Sequence, residues 1–61
     1  MINFIEVNNA GAKRLINLRN VQEIIKYDSD RCKVFFSETD YFAPDESYDD
    51  IKNMLRKAGQ Y

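Results

Sequence analysis

Histidine is missing from this 61-residue chain, and cysteine and proline occur once each, at Cys32 and Pro44. One thiol cannot close an intrachain disulfide. One thiol with no imidazole is also a poor ligand set, so no structural or catalytic metal is expected. Glycine occurs only twice, at Gly11 and Gly59. Flexible linkers, low-complexity tracts and internal repeats are absent. No apolar run approaches the roughly 20 residues needed to cross a bilayer. The start, Met1-Ile2-Asn3-Phe4, lacks both the basic region and the long apolar stretch of a secretory signal. A lone cysteine suits a reducing compartment. The expectation is a cytoplasmic protein that does not enter the membrane.

Neither sign of charge dominates. Nine Lys and Arg face ten Asp and Glu, for a net charge of −1 and a pI near 5.2. That balance argues against a strong electrostatic grip on nucleic acid or anionic lipid. The distribution is uneven, with a balance of +2 over residues 1–33 and −3 over residues 34–61.

Length sets a further bound. A single domain of this size buries only about 60% of the surface its unfolded chain exposes. Its core supplies a few kcal/mol at most, and small domains often add a disulfide, a metal or a partner chain. With an intrachain disulfide excluded and a metal poorly supported, a partner chain remains.

Turn residues punctuate the chain at short intervals and predict an α+β fold: a small antiparallel meander of about four strands followed by one C-terminal helix. Apolar runs at about 2–8 and 13–18 flank a loop containing Gly11 and read as a hairpin. Residues 20–27 carry two signals. Asn20 with Glu23 resembles a capping box over Val21, Ile24 and Ile25, but the short length and β-branched content favour a strand over 21–27. Asp28-Ser29-Asp30 makes a turn, and Cys32, Val34, Phe35 and Phe36 mark a strand over 31–37. A short strand at about 40–43 ends at Pro44, which cannot donate to a ladder. The helix is expected over about 47–58. Ser47 caps it with Asp50 at the capping-box position, Asp49 and Asp50 oppose the dipole at its start, Arg56 and Lys57 at its end, and Gly59 follows. Tyr48, Ile51, Leu55 and Ala58 share a face, with Met54 beside them.

The strands do not alternate cleanly. Each holds an apolar doublet: Phe4-Ile5, Leu15-Ile16, Ile24-Ile25, Phe35-Phe36 and Tyr41-Phe42. Neighbours along a strand point to opposite faces, so both faces are apolar. One face is expected to hold Ile5, Val7, Ile16, Leu18, Ile24, Val34 and Phe36. The other holds Ile2, Phe4, Leu15, Ile25, Tyr27, Phe35 and Tyr41. A single helix covers one face. Either the sheet curls into a small barrel, or its second face meets another molecule, a second copy or a different protein. The candidate interaction surface is therefore Phe4, Leu15, Ile25, Tyr27, Phe35 and Tyr41.

Chemistry finds little support. The carboxylates fall in turns and at a helix start, where they have structural work, and no catalytic set or cofactor motif emerges. Asp28-Ser29-Asp30 lacks the glycine and distal glutamate of a calcium loop. Cys32 lies between Arg31 and Lys33, but on a strand those side chains point away from the thiol, so a buried, inert cysteine is expected. Arg31, Lys33 and Phe35 alternate onto one face, with Lys13 and Lys26 as candidate neighbours. Basic residues interleaved with an aromatic form the alternative, a surface for single-stranded nucleic acid.

The order from Leu15 to Leu55 is an apolar strand, Asn20-Val21-x-x-Ile24, an Asp-containing turn, Val34-Phe35-Phe36, a tight turn, a short aromatic strand, then Glu46-Ser47-Tyr48-x-x-Ile51-x-x-x-Leu55. It resembles the small FlbD-like bacterial proteins linked to flagella, which end in an acidic-capped helix. The Asn-Gly turn usual there is absent, since Ala10 precedes Gly11. Residues 24–55 also resemble the first half of a LytTR-type DNA-binding domain, but the chain stops before the half that supplies DNA contacts. The expectation is a small non-catalytic interaction module of a bacterium or phage, self-associating or bound to a larger protein through its second sheet face.

Overall fold

The computed structural model describes residues 3–59. The order is β1 (Phe4–Asn9), β2 (Ala12–Asn17), a 3-10 turn (Leu18–Asn20), β3 (Glu23–Tyr27), β4 (Arg31–Phe35), β5 (Tyr41–Phe42) and α1 (Tyr48–Lys57). The α+β class and the antiparallel succession are as the sequence predicts. The expected first residue of β1, Ile2, lies outside the described residues.

The strands form two sheets, one of β1 and β2 and one in the order β3-β4-β5. They are therefore neither one continuous meander nor one sheet curled shut. The break falls between β2 and β3, where the Asn17 side chain accepts a hydrogen bond from the Arg19 N–H at 3.0 Å and caps a single 3-10 turn. The helical turn expected to be capped by Asn20 is instead capped by Asn17, three residues earlier, and lasts one turn. Leu18, expected on a strand, sits in that turn. β3 is extended from Glu23, and the Gln22 N–H prolongs its ladder by donating to the Phe35 carbonyl at 2.8 Å. β4 stops at Phe35, two residues early, because the N–H groups of Phe36 and Ser37 both turn to the Asp40 carbonyl.

The β1–β2 connection is a two-residue turn, tighter than the loop expected around Gly11. Ala10 has φ +53° and Gly11 φ +84°. Positive φ at both positions matches the right-handed twist of the flanking strands. Glycine adopts it freely, whereas alanine is strained there. Asp28, with φ +54°, begins the β3–β4 turn, and its carboxylate accepts from the Ser29 N–H at 3.0 Å.

Ile5, Val7, Ile16, Cys32, Val34 and Ile51 make the buried core, so both sheets and the helix contribute to it. Leu18, Ile24, Phe36, Phe42, Tyr48, Met54 and Leu55 pack around it. The predicted inner face is thus the observed one. Ala58, expected on the apolar face of α1, is exposed, because the helix already ends there and Gly59 follows at φ +77°. The Ser47–Asp50 capping box forms in both directions.

Residues 44–48 tie these parts together. Pro44 is fully buried. The Asp45 N–H donates to the Asn8 carbonyl at 2.7 Å. The Asn8 N–H donates to both Glu46 carboxylate oxygens at 2.9 and 3.0 Å, and the Asn8 side-chain amide donates to one of them at 2.9 Å. The Asp45 carboxylate lies 3.4 and 3.5 Å from the N–H groups of Ala10 and Gly11. The Tyr48 N–H reaches the Asp30 carbonyl at 2.8 Å.

Two stability measurements follow from this geometry. Glu46→Ala removes the acceptor for three Asn8 contacts. It should lower the unfolding free energy by about 1–2 kcal/mol, read from urea denaturation followed by circular dichroism. Ala10→Asn relieves the left-handed strain and should stabilise by about 0.5–1 kcal/mol. That gain would raise the melting temperature by a few degrees.

Candidate interaction surface

Alternation on β3 and β4 decides which side chains face outward. Ile24, Cys32 and Val34 point to the core, so the antiparallel pairs Glu23–Phe35, Ile25–Lys33 and Tyr27–Arg31 point away from it. β5 adds Tyr41, paired with Phe35. The Phe35 and Tyr41 rings stack with centroids 4.9 Å apart and planes 27° from parallel. The Lys33 ammonium lies 4.9 Å from the Tyr27 ring centroid and 5.2 Å from that of Tyr41. Both distances are within cation–π range, worth about 0.5–1 kcal/mol each at exposed sites.

The two sets of residues singled out in the sequence therefore overlap on one face. Ile25, Tyr27, Phe35 and Tyr41 come from the apolar set, Arg31 and Lys33 from the basic set, and Phe35 belongs to both. Lys26, a candidate neighbour of the basic set, is on the opposite side. It pairs with Cys32 across the ladder, and its ammonium lies 5.9 Å from the Tyr48 ring. Lys13 is on the other sheet, 3.6 Å from the Glu6 carboxylate in an exposed pair worth little.

Phe4 and Leu15 also face outward, but on β1 and β2, with Glu6, Asn8, Lys13 and Asn17. The six-residue apolar surface is thus divided between two sheets. Exposure is 48% for Phe4, 67% for Leu15, 40% for Ile25 and 50% for Tyr41. Tyr27 and Phe35 are half-buried.

One arrangement had no signal in the sequence. Arg14 lies opposite Val7 on the core side of β2, and its guanidinium carbon sits 4.1 Å above the Phe42 ring, which stacks on Phe36 at 5.9 Å. A charged residue between Lys13 and Leu15 reads as solvated; only the approach of β5 supplies the ring that it covers.

The carboxylates of Asp28, Asp45, Glu46 and Asp50 are spent on backbone contacts of turns, hairpin and helix start. Among the described residues, no His, Cys, Asp or Glu group is disposed to hold a metal, and no pocket opens between the elements. None of the described helices is long and apolar enough to cross a membrane.

Cys32 is buried, and its thiol lies 3.8 Å from the Glu46 carbonyl. Burial raises its pKa above the ordinary thiol value, the Glu46 charge adds to the rise, and Arg31 opposes it. The protonated thiol is the form the fold favours. The unfolded chain loses that proton first as pH rises, so the native state gains nothing from this group below the ordinary thiol pKa and loses stability above it. Unfolding midpoints of the native protein should fall above that pH, and Cys32→Ala should flatten the decline. A thiol reagent should label Cys32 slowly until denaturant is added.

No family model, curated protein or solved structure matches this chain.

Proposed function

We propose that this chain is a small non-catalytic interaction module, which associates with a second copy or binds a larger protein through the apolar sheet residues left uncovered by its helix. The observation that carries this reading is the exposure of Phe4, Leu15, Ile25 and Tyr41 on the outward faces, while the core is complete without them. Large apolar side chains outside a small core favour association, because covering them removes apolar surface from water. The size of the domain supports the same reading, since a chain with one cysteine has no disulfide to supplement its core.

The test compares the parent protein with Phe4→Lys and Phe35→Lys by sedimentation velocity over a concentration series, and by capture of partner proteins from nuclease-treated native lysate. Each variant should remain folded by circular dichroism and should weaken association by about thirtyfold, the loss expected for a central interface residue. A parent that stays monomeric and captures no protein overturns the reading. So do variants that unfold, because the substituted residues would then be core.

A further inference from the structure

The outward face of β3, β4 and β5 differs in charge from the rest of the molecule. It carries Arg31 and Lys33 against the single carboxylate of Glu23, a balance of +1. The whole chain is at −1, so the remainder stands at −2. The two cations are on the same side of β4, two residues apart, which spaces them by about 7 Å. Lys33 lies against two tyrosine rings, and one of those, Tyr41, is half exposed and stacked on Phe35.

Three properties select the occupant. The charge calls for an anion and opposes packing against a copy of the same face, where like charges would meet. The footprint is small: three strands of five, five and two residues present about half their side chains outward. A standard protein interface takes about 20–30 residues a side, more than this sheet presents without Phe4 and Leu15 of the other sheet. The face is also open, with no pocket among the described residues to receive a helix or an anchoring side chain. A flat aromatic surface beside cations matches the needs of unpaired bases, which stack on rings while their phosphates meet the charges.

We infer that this face binds a short stretch of single-stranded nucleic acid, with bases stacked on Tyr41 and Tyr27 and phosphates paired with Arg31 and Lys33. The interaction goes beyond protein association and does not depend on it, because a monomer presents the whole face.

The experiment titrates the full chain into a fluorescein-labelled oligothymidylate of about a dozen nucleotides, within the range a small binding fold occupies, and reads anisotropy. With two phosphates neutralised, affinity should fall about sevenfold between about 50 and about 200 mM salt, and Lys33→Gln should reduce that dependence to about threefold. Tyr41→Ala, at an exposed position, should weaken binding at least about fivefold while the circular dichroism spectrum stays native. Lys13→Gln removes the same charge from the other sheet and should leave binding unchanged. Absence of binding at low salt overturns the inference. Equal weakening by Lys13→Gln and Lys33→Gln also overturns it, by showing that the face is not selected. Competition by polyglutamate as strong as by unlabelled oligothymidylate overturns it in favour of an acidic protein segment.

Discussion

The structure depends on one short stretch of backbone, the turn from β5 into α1. Two separate sheets, of two and three strands, have no ladder between them, and neither buries an apolar face alone. Residues 44–48 hold them together. Asn8 on β1 offers its carbonyl to Asp45 and its N–H to the Glu46 carboxylate, while Tyr48, the first residue of the helix, donates to Asp30 in the β3–β4 turn. The same segment starts α1 through the Ser47–Asp50 box and so places Ile51 between the sheets. Pro44, with no N–H to satisfy, is buried at the point where the chain leaves β5. This connector also covers the free edge of β1 at Asn8, where an open strand would otherwise offer unpaired groups to another chain.

With one helix and two small sheets, the fold has enough material to cover one apolar face per sheet. The doublets in the strands supply two. Ile5, Ile16, Ile24, Phe36 and Phe42 face the interior, and the other member of each doublet points away from it. Energy favours this partition because the core needs only alternate positions. The residual face has some internal order even without a partner: Phe35 stacks on Tyr41, and Lys33 rests against Tyr27 and Tyr41. These contacts reduce the exposed apolar area and limit the mobility of the aromatic rings.

The outward faces also differ from one another. Around Phe4 and Leu15 the charges cancel locally through Glu6 and Lys13. On the three-stranded sheet Arg31 and Lys33 outnumber Glu23. An acidic chain thus carries a locally basic aromatic patch. Whole-chain charge, a sum over all directions, is blind to such a patch.

Local pattern determined most of the fold. Period-two burial, the capping box at Ser47, the Gly59 terminus and the strand character of residues 23–27 are short-range properties, legible from adjacent residues. Alternation placed Ile5, Val7, Ile16 and Val34 on one face and Phe4, Leu15, Ile25 and Tyr41 on the other, because strand geometry fixes the side of every residue once one in that strand is placed. Long-range geometry decided the rest. The break into two sheets depends on an Asn17 side chain turning back on Arg19. The roles of Asp45 and Glu46 depend on a hairpin more than thirty residues earlier in the chain. Arg14 finds its ring only when β5 arrives. Likewise, the sequence supplied two lists of surface residues, one apolar and one basic, and only pairing across β3, β4 and β5 put Lys33 among the rings. The physical reason is the same in each case: alternation along a strand specifies a side, whereas neighbours across a sheet are specified by register and by the chain that folds over it.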